Sequence, residues 1–338
     1  MRSKSITLVL ALIASLFAVP AASATDLKSG GSTFSANFVE QCRTRFAKET
    51  GLILNYTPNG SGAGRNFFTQ KITDFAISDT PFSSNDVKPN EPFLYVPIVS
   101  GPIAVVYKLD GYAGRIKLSK EALAKIFAGQ IKMWNDPQIA KLNSGKLPKT
   151  KIIVLYRSDG SGTSEVFTSY LNSVAPSVWT KPGSKTFVSA FPGDMNDHFG
   201  YFQSANGSTL IATTQANLNG SISYNEVSYV RNLKSALIEN ETGRFMGPTQ
   251  SATSSFLSNV KFDNNGVSPL NFKNPSKYSY NIVTFAYAIS YEKPSKNGAL
   301  IKKFLNFALD RCNNIEGYAP IKGSALKVAK SQISKISN

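Results

Sequence analysis

The feature that most constrains this chain is a unit that occurs three times: an apolar stretch, a turn of Gly with Ser or Thr, and then a helical pattern. The turns lie at residues 32–34, 60–62 and 161–163. Strands that alternate with helices favour parallel sheets. The chain is therefore predicted to have an α/β fold in which each turn joins the end of a strand to the start of a helix.

The length of 338 residues suits two lobes better than one compact unit. Gly101-Pro102 stands between two apolar runs and is predicted to be a hinge-like crossover between the lobes, and the strand-like stretch 281–290 is predicted to cross back. The predicted division is a signal peptide at 1–24, a first lobe at 25–100 that is completed by 280–338, and a second lobe at 101–279.

The first 24 residues have the pattern of a secretory signal peptide. Arg2 and Lys4 precede an apolar run at 6–19, and the Ala-Ser-Ala sequence at 22–24 fits a cleavage site before Thr25. A retained membrane anchor is the alternative, but the apolar run is short for a bilayer. The mature protein is predicted to be soluble and to lie in the periplasm or outside the cell.

The charge balance points towards anionic partners. The formal net charge is +16, and removal of Arg2 and Lys4 with the signal peptide lowers it to +14. A basic exported protein attracts anionic surfaces or solutes. The lysines are scattered along the chain instead of forming a basic arm, so nucleic acid is not predicted as a partner.

The composition argues against most enzyme and metal classes. One His and two Cys are too few for most zinc sites. A serine hydrolase needs a Gly-x-Ser-x-Gly turn, but Asn59 and Asp159 stand where the first Gly belongs, and His198 alone would have to act as the base. The P-loop signature does not occur. We predict no catalytic residues, no metal and no cofactor.

The two cysteines, Cys42 and Cys312, lie 270 positions apart. Cysteines of exported proteins can pair because the compartment is oxidising. We therefore expect a disulfide that ties the two ends of the chain together.

The three turns are candidates for binding an anion. The first N–H groups of a helix lack partners inside the helix, and its dipole places partial positive charge there. Arg157 precedes the third turn and carries a planar fork of donors that suits an oxyanion. The alternative for Arg157 is a surface side chain paired with Asp159.

Asp79, at the end of a predicted strand, would repel an anion that carries no proton. An ionised carboxylate only accepts hydrogen bonds. It therefore suits the P–OH group of hydrogen phosphate and disfavours sulfate, which has no hydrogen to donate. The alternative for Asp79 is a turn or helix-capping residue before Thr80-Pro81.

Several stretches resemble the phosphate-binding proteins of Pst-type high-affinity ABC phosphate importers. The stretch at 157–163 (RSDGSGT) and the one at 134–137 (WNDP) are specific to the pattern. The sequence departs from it at Ser35, at 204–209 and at Ser223. The remaining matching stretches, in the order of the family, are 31–34 (GSTF), 60–64 (GSGAG), 74–81 (DFAISDTP), 126–131 (IFAGQI), 220–224 (GSISY) and 317–321 (GYAPI).

This resemblance implies a two-lobed periplasmic-binding-protein fold, type II-like, that closes over one inorganic phosphate and delivers it, as a monomer, to a membrane permease. Asp159 would orient Arg157. An exported oxyanion scavenger or a surface-adhesion protein of the same fold remains the alternative function. The phosphate contacts that the resemblance implies are Thr33, Phe34, Ser61, Asp79, Arg157, Ser161, Gly162 and Thr163.

Overall fold

A computed structural model describes residues 26–269 and 271–338 of the chain. The predicted signal peptide at 1–24 lies outside the described residues. In the two described ranges, no helix combines the length and the apolar character that crossing a membrane requires.

Strands and helices alternate along most of the chain. The strands are β1 (Leu27–Gly31), β2 (Leu54–Thr57), β3 (Phe75–Ser78), β4 (Phe93–Tyr107), β5 (Lys117–Leu118), β6 (Ile153–Arg157), β7 (Phe202–Ala205), β8 (Ser221–Glu226), β9 (Lys234–Ser235), β10 (Leu237–Glu239), β11 (Phe245–Met246) and β12 (Val283–Tyr291). The helices are α1 (Ala36–Thr50), α2 (Ser61–Thr69), α3 (Lys120–Phe127), α4 (Pro137–Ala140), α5 (Gly162–Val174), α6 (Phe187–Ala190), α7 (Gly207–Ala216), α8 (Gln250–Leu257), α9 (Gly298–Arg311) and α10 (Gly323–Lys335). Short 3-10 helices cover Met195–His198 and Val227–Tyr229.

The main sheet is mixed, whereas the sequence predicted parallel sheets. Its strand order is β2-β1-β3-β12-β4-β8-β6-β7, and β9 also pairs with β4. The strand–helix units give the parallel pairs, β1 with β2 and β3, and β6 with β7 and β8. The returning strand β12 is antiparallel to β3 and β4, and β4 is antiparallel to β8. The alternation of strands and helices predicts the parallel pairs, but it carries no signal for the antiparallel pairs, whose strands lie far apart along the chain.

The long strand β4 belongs to both halves of this sheet. Residues 93–102 pair with β12, and residues 103–107 pair with β8. We call β2, β1, β3, β12 and the start of β4 the first half-sheet, and the end of β4, β8, β6 and β7 the second half-sheet. The predicted hinge at Gly101-Pro102 lies inside β4, where the pairing partner changes from β12 to β8. The backbone therefore passes between the half-sheets as one extended strand and not as a loop.

Helix boundaries follow the local signals where apolar spacing is clear. The apolar stripe of Phe38, Cys42 and Phe46 predicts a helix over 36–50, and α1 spans those residues; Gly51 ends it in the left-handed region at a φ of 71°. The sequence also predicts Ser119 as an N-cap, and Ser119 caps α3 by accepting a hydrogen bond from the Ala122 N–H over 3.1 Å. The glycine-rich turn predicts a helix that starts near Arg65, but α2 begins at Ser61.

A disulfide joins α1 to the residue that follows α9. Cys42 and Cys312 are both buried, and their Cα atoms lie 5.5 Å apart. Around the bond, Phe46 of α1 packs edge-on against Phe304 and Phe307 of α9. The two ends of the chain thus form one packed layer over the first half-sheet.

Replacing both cysteines with alanine should lower the free energy of unfolding by about 2–4 kcal/mol, because the bond restrains the unfolded chain over a long loop. Denaturant unfolding of the double variant and of the wild-type protein measures the difference. The wild-type protein with a reductant is the control, since it should approach the variant, whereas the variant should not respond to reductant. Equal stability of all samples would contradict the expectation.

Candidate anion-binding site

The second and third glycine-rich turns meet where strands of the two half-sheets end. The Gly62 N–H donates to the Gly160 carbonyl over 2.8 Å. Glycine at position 162 permits a close approach, because a Cβ there would lie 2.6 Å from the Ser61 Oγ and 2.8 Å from the Asp79 Cβ. The turn after β6 therefore packs directly against Ser61, Gly62 and Asp79, which follow strands of the first half-sheet.

The Asp79 carboxylate lies at the centre of these contacts. Ser32 Oγ donates to its Oδ1, and Thr163 Oγ1 donates to its Oδ2 over 3.1 Å. The Asp79 N–H donates to the Ser61 Oγ over 3.2 Å. Ser32 and Ser61 belong to the first and second turns, and Thr163 belongs to the third. The carboxylate of Asp79 thus contacts the first and third turns, and its backbone N–H contacts the second.

Asp79 is only 2% exposed, and its environment changes its acidity. Burial raises the pKa of its carboxyl from 3.8 to about 6, while hydrogen bonds from Ser32 and Thr163 and the charge of Arg157 act in the opposite direction. The group is therefore mostly ionised at neutral pH, where it can accept a hydrogen bond from a ligand but has no hydrogen to donate.

Arg157, the last residue of β6, is buried and is held by Asp159. Its Nε donates to the Asp159 Oδ1 over 2.6 Å, and its Nη2 contacts the Oδ2, which makes a two-point ion pair. Burial disfavours the charged form of Asp159, but the hydrogen bonds and charge of Arg157 outweigh it, so the pKa of Asp159 is lowered. The Nη1 atom remains directed away from Asp159 and lies 3.5 Å from the Ser208 Oγ.

Ser208, at the start of α7, joins this group although the sequence analysis did not select it. Its Oγ lies 3.0 Å from the Thr33 Oγ1, and its N–H donates to the same Thr33 atom over 3.3 Å. The preceding Gly207 donates its N–H to the Asp159 Oδ1 over 2.9 Å. A signal was present, because β7 and α7 form a fourth strand–turn–helix unit, whose turn lies in the stretch 204–209. Ser32, which contacts Asp79, was also missed as an individual residue.

Four helices, α1, α2, α5 and α7, begin beside these residues. Ser161 caps α5 by accepting a hydrogen bond from the Ser164 N–H over 3.0 Å. Phe34 lies two residues before α1; its ring is fully buried, and its carbonyl accepts from the Tyr318 hydroxyl over 2.7 Å. Helix N-termini carry partial positive charge and N–H groups that lack partners in the helix. Their convergence favours an anion.

The predicted residues therefore form one connected group. Its donors, an arginine, several hydroxyls and helix N-termini, suit the oxygens of a tetrahedral oxyanion. Its one central carboxylate suits a hydrogen on that oxyanion. The residues that lie in or directly beside the group are Thr33, Phe34, Ser61, Asp79, Arg157, Asp159, Ser161, Gly162 and Thr163.

The only histidine of the chain makes apolar contacts. The His198 ring packs edge-on against Phe191 and Phe202, at centroid distances of 5.6 Å and 5.9 Å. Across residues 26–269 and 271–338, no group of three or more His, Cys, Asp or Glu side chains is placed to hold a metal ion.

Comparison with known protein families gives one match over most of the chain. The model of the PBP superfamily domain matches residues 18–311. The matched stretch contains Cys42 and all of the residues in the group around Asp79, and it ends one residue before Cys312.

Curated relatives carry the name phosphate-binding protein PstS. The Pasteurella multocida protein is 32% identical over 259 residues, which cover 76% of this chain and 72% of the relative. A Mycobacterium tuberculosis protein, PstS 2, is 40% identical over 215 residues, which cover 60% of this chain. The chain spans 55% of the length of that mycobacterial relative.

A solved structure has a similar fold. It is a high-affinity periplasmic phosphate-binding protein, PfluDING, determined with bound phosphate, and it superposes with a TM-score of 0.70 at 20% identity. The superposition covers 90% of this chain and 93% of that one. At this level of identity the likeness concerns the fold.

Proposed function

This chain belongs to the PBP superfamily and to the family of the PstS phosphate-binding proteins, and from that premise we propose that it binds inorganic phosphate at the group of residues around Asp79. The observation that carries the proposal is the buried carboxylate of Asp79, which lies among hydroxyl donors and near the charge of Arg157. Such a site offers donors to several anion oxygens and a single acceptor to one hydrogen. Hydrogen phosphate has both the oxygens that accept and the hydrogen that is donated, whereas sulfate has only the oxygens.

In the proposed binding mode, each half-sheet contributes part of the site. Thr33, the Phe34 backbone, Ser61 and Asp79 come from the side of the first half-sheet. Arg157 and the 161–163 turn come from the side of the second. Phosphate held between them stabilises the closed arrangement relative to an open one, because the contacts from both sides exist together only when the protein is closed.

The lobe division at 25–100, 101–279 and 280–338 is part of this proposal. The crossovers between the lobes are β4, at the change of partner beside Gly101-Pro102, and the start of β12. The 1–24 segment is proposed to direct export before it is removed. The mature protein would then act outside the cytoplasm as a monomer that carries out no catalysis.

The proposed destination of the bound phosphate is the membrane permease of an ABC importer. A permease that recognises the closed form would distinguish loaded from empty binding protein, since only the loaded form has both sides of the site in contact. The names of the PstS relatives support this role. The site also supports it, because two of its turns lie on the side of the first half-sheet and the third lies on the side of the second.

Isothermal titration of the mature protein with phosphate and with sulfate tests the proposal. We expect one phosphate to bind per chain, and sulfate to bind far more weakly, when the pH is well above the Asp79 pKa of about 6. The reason is that an ionised Asp79 can accept a hydrogen bond from phosphate and can only repel sulfate. Absence of phosphate binding would refute the function, and equal binding of both anions would refute the role of Asp79.

A further inference from the structure

Four charged side chains form a buried ion cluster beside the proposed phosphate site. We use this name for Arg65, Asp86, Glu165 and Lys185. The Arg65 Nη2 lies 3.2 Å from the Asp86 Oδ2 and 3.5 Å from the Glu165 Oε2, and the Lys185 Nζ forms an ion pair with the Asp86 Oδ1. The side chains of Arg65 and Asp86 are 0% and 1% exposed, and that of Lys185 is 30% exposed. Two cations and two carboxylates thus compensate each other.

The cluster connects the two sides of the site. Arg65 lies on α2 and Asp86 follows β3, both on the side of the first half-sheet. Glu165 lies on α5 and Lys185 follows it, both on the side of the second half-sheet. The Thr80 Oγ1 adds a further link, because it donates to the Glu165 Oε2 over 2.8 Å and accepts from the Arg65 Nη1 over 2.7 Å.

Three of the four members, Lys185, Glu165 and Arg65, are connected through the backbone to a proposed phosphate contact. The Lys185 carbonyl accepts from the Ser161 N–H over 2.9 Å, and the Glu165 N–H donates to the Ser161 carbonyl over 3.1 Å. Arg65 lies one turn along the helix that begins with Ser61. The cluster therefore acts on the same loops as the ligand without reaching the ligand itself.

Separation of the two sides would break only some of these contacts. Arg65 and Asp86 would remain together, whereas Lys185 would leave Asp86 and become hydrated. Without the Lys185 charge, the closed cluster would hold two carboxylates against the single cation Arg65, and a buried charge that lacks part of its compensation is costly. Loss of the Lys185 charge therefore raises the free energy of the closed form, while the open form, in which Asp86 is in contact with water, is affected much less.

We infer that the buried ion cluster is a latch that prolongs the closed, phosphate-bound form, with Lys185 as a positioning residue that does not touch the ligand. The inference rests on the proposed function. It predicts an effect on the rate of phosphate release, because the latch forms only after the two sides have met.

Stopped-flow measurement of phosphate association and release tests the latch. Lys185→Met should release phosphate about 5- to 30-fold faster with an association rate near that of the wild-type protein. The loss of a charge partner appears mainly in dissociation, and the effect is smaller than for a fully buried pair because the Lys185 side chain is 30% exposed. Lys181→Met, which removes an exposed lysine from the same segment, is the matched control and should change neither rate. Lys185→Arg should restore slow release, because it keeps the positive charge opposite Asp86.

A double-mutant cycle with Asp86→Asn separates a latch from a loss of packing. If Lys185 acts through Asp86, the two variants together should accelerate release by less than the product of their separate effects. The inference fails if Lys185→Met, folded by circular dichroism, releases phosphate like Lys181→Met, or if the effects of the two substitutions multiply. If the wild-type protein binds no phosphate, the proposed function fails and the latch fails with it; failure in the variants alone overturns only the latch.

Discussion

Replacing Arg157 with alanine should weaken phosphate binding by about 2–5 kcal/mol, the usual cost of removing one member of a buried charge pair. This loss corresponds to an affinity about 30- to 5,000-fold lower. The structure gives two reasons for so large an effect. The side chain is held by both carboxylate oxygens of Asp159, so its donors are fixed in direction. Its removal would also leave the Asp159 carboxylate, which is 9% exposed, without its cation.

Isothermal titration of the Arg157→Ala variant measures this change. Arg43→Ala is a matched control, because Arg43 forms an ion pair with Glu40 on the surface of α1, where the side chains are 34% and 60% exposed. Surface pairs of this kind contribute little, so the control should bind phosphate normally. An Arg157→Ala variant with near wild-type affinity would place Arg157 outside the site.

Replacing Asp79 with asparagine should reduce the preference for phosphate over sulfate. Asparagine carries no charge to repel sulfate and offers an N–H that can donate to one of its oxygens. The new N–H would pair with a sulfate oxygen that the carboxylate of the wild-type protein leaves without a partner. The ratio of phosphate affinity to sulfate affinity should therefore fall by about 5- to 150-fold, which corresponds to about 1–3 kcal/mol. Titration of both anions into the variant measures the ratio, and an unchanged ratio would argue against Asp79 as the discriminating group.

Two controls isolate the Asp79 carboxylate. Asp110→Asn removes a surface carboxylate, paired with Lys108 and 60% exposed, and should leave selectivity unchanged. Lowering the pH is the second control. Because the pKa of Asp79 is raised to about 6, the group is ionised above that pH and protonated below it. Sulfate should therefore bind the wild-type protein more tightly as the pH falls through about 6, and the Asp79→Asn variant should lack this dependence.

Local signals in the sequence were sufficient for elements with clear apolar spacing. The bounds of α1 follow from its apolar stripe and from the glycine that ends it. Helix α2 shows where such signals fail, because Ser61, Gly62 and Gly64 have weak helical propensity and predict a loop. Tertiary contact explains the glycines: a Cβ at Gly64 would lie 2.4 Å from the Gly31 Cα. Glycine at position 64 lets α2 lie close to β1. Helix propensity describes only neighbouring residues, so it does not predict a helix that depends on this distant contact.

The site could be predicted where a turn carries its own pattern, or where a charged residue such as Asp79 or Arg157 stands at the end of a predicted strand. The residues at 32–34, 60–62 and 161–163 share one, and the structure places those three turns together. The contact between Ser208 and Thr33 spans 175 positions, and the Lys185–Asp86 pair spans 99. Partners so far apart have no local signature, because each is an ordinary polar residue until the chain folds. For the same reason the sequence predicted the residues around Asp79 but not the buried ion cluster.

The unbroken strand β4 has a consequence for how the protein moves. A flexible linker would let one side swing freely, whereas here β4 pairs first with β12 and then with β8, with one register shift opposite Ala286 and Tyr287. Opening must therefore be taken up as elastic bending and twisting of a paired ribbon, in which resistance grows with amplitude. Such a connection resists bending elastically and does not rotate freely. The angle between the two half-sheets should therefore change by a limited, reproducible amount on opening and return to the same value on closing.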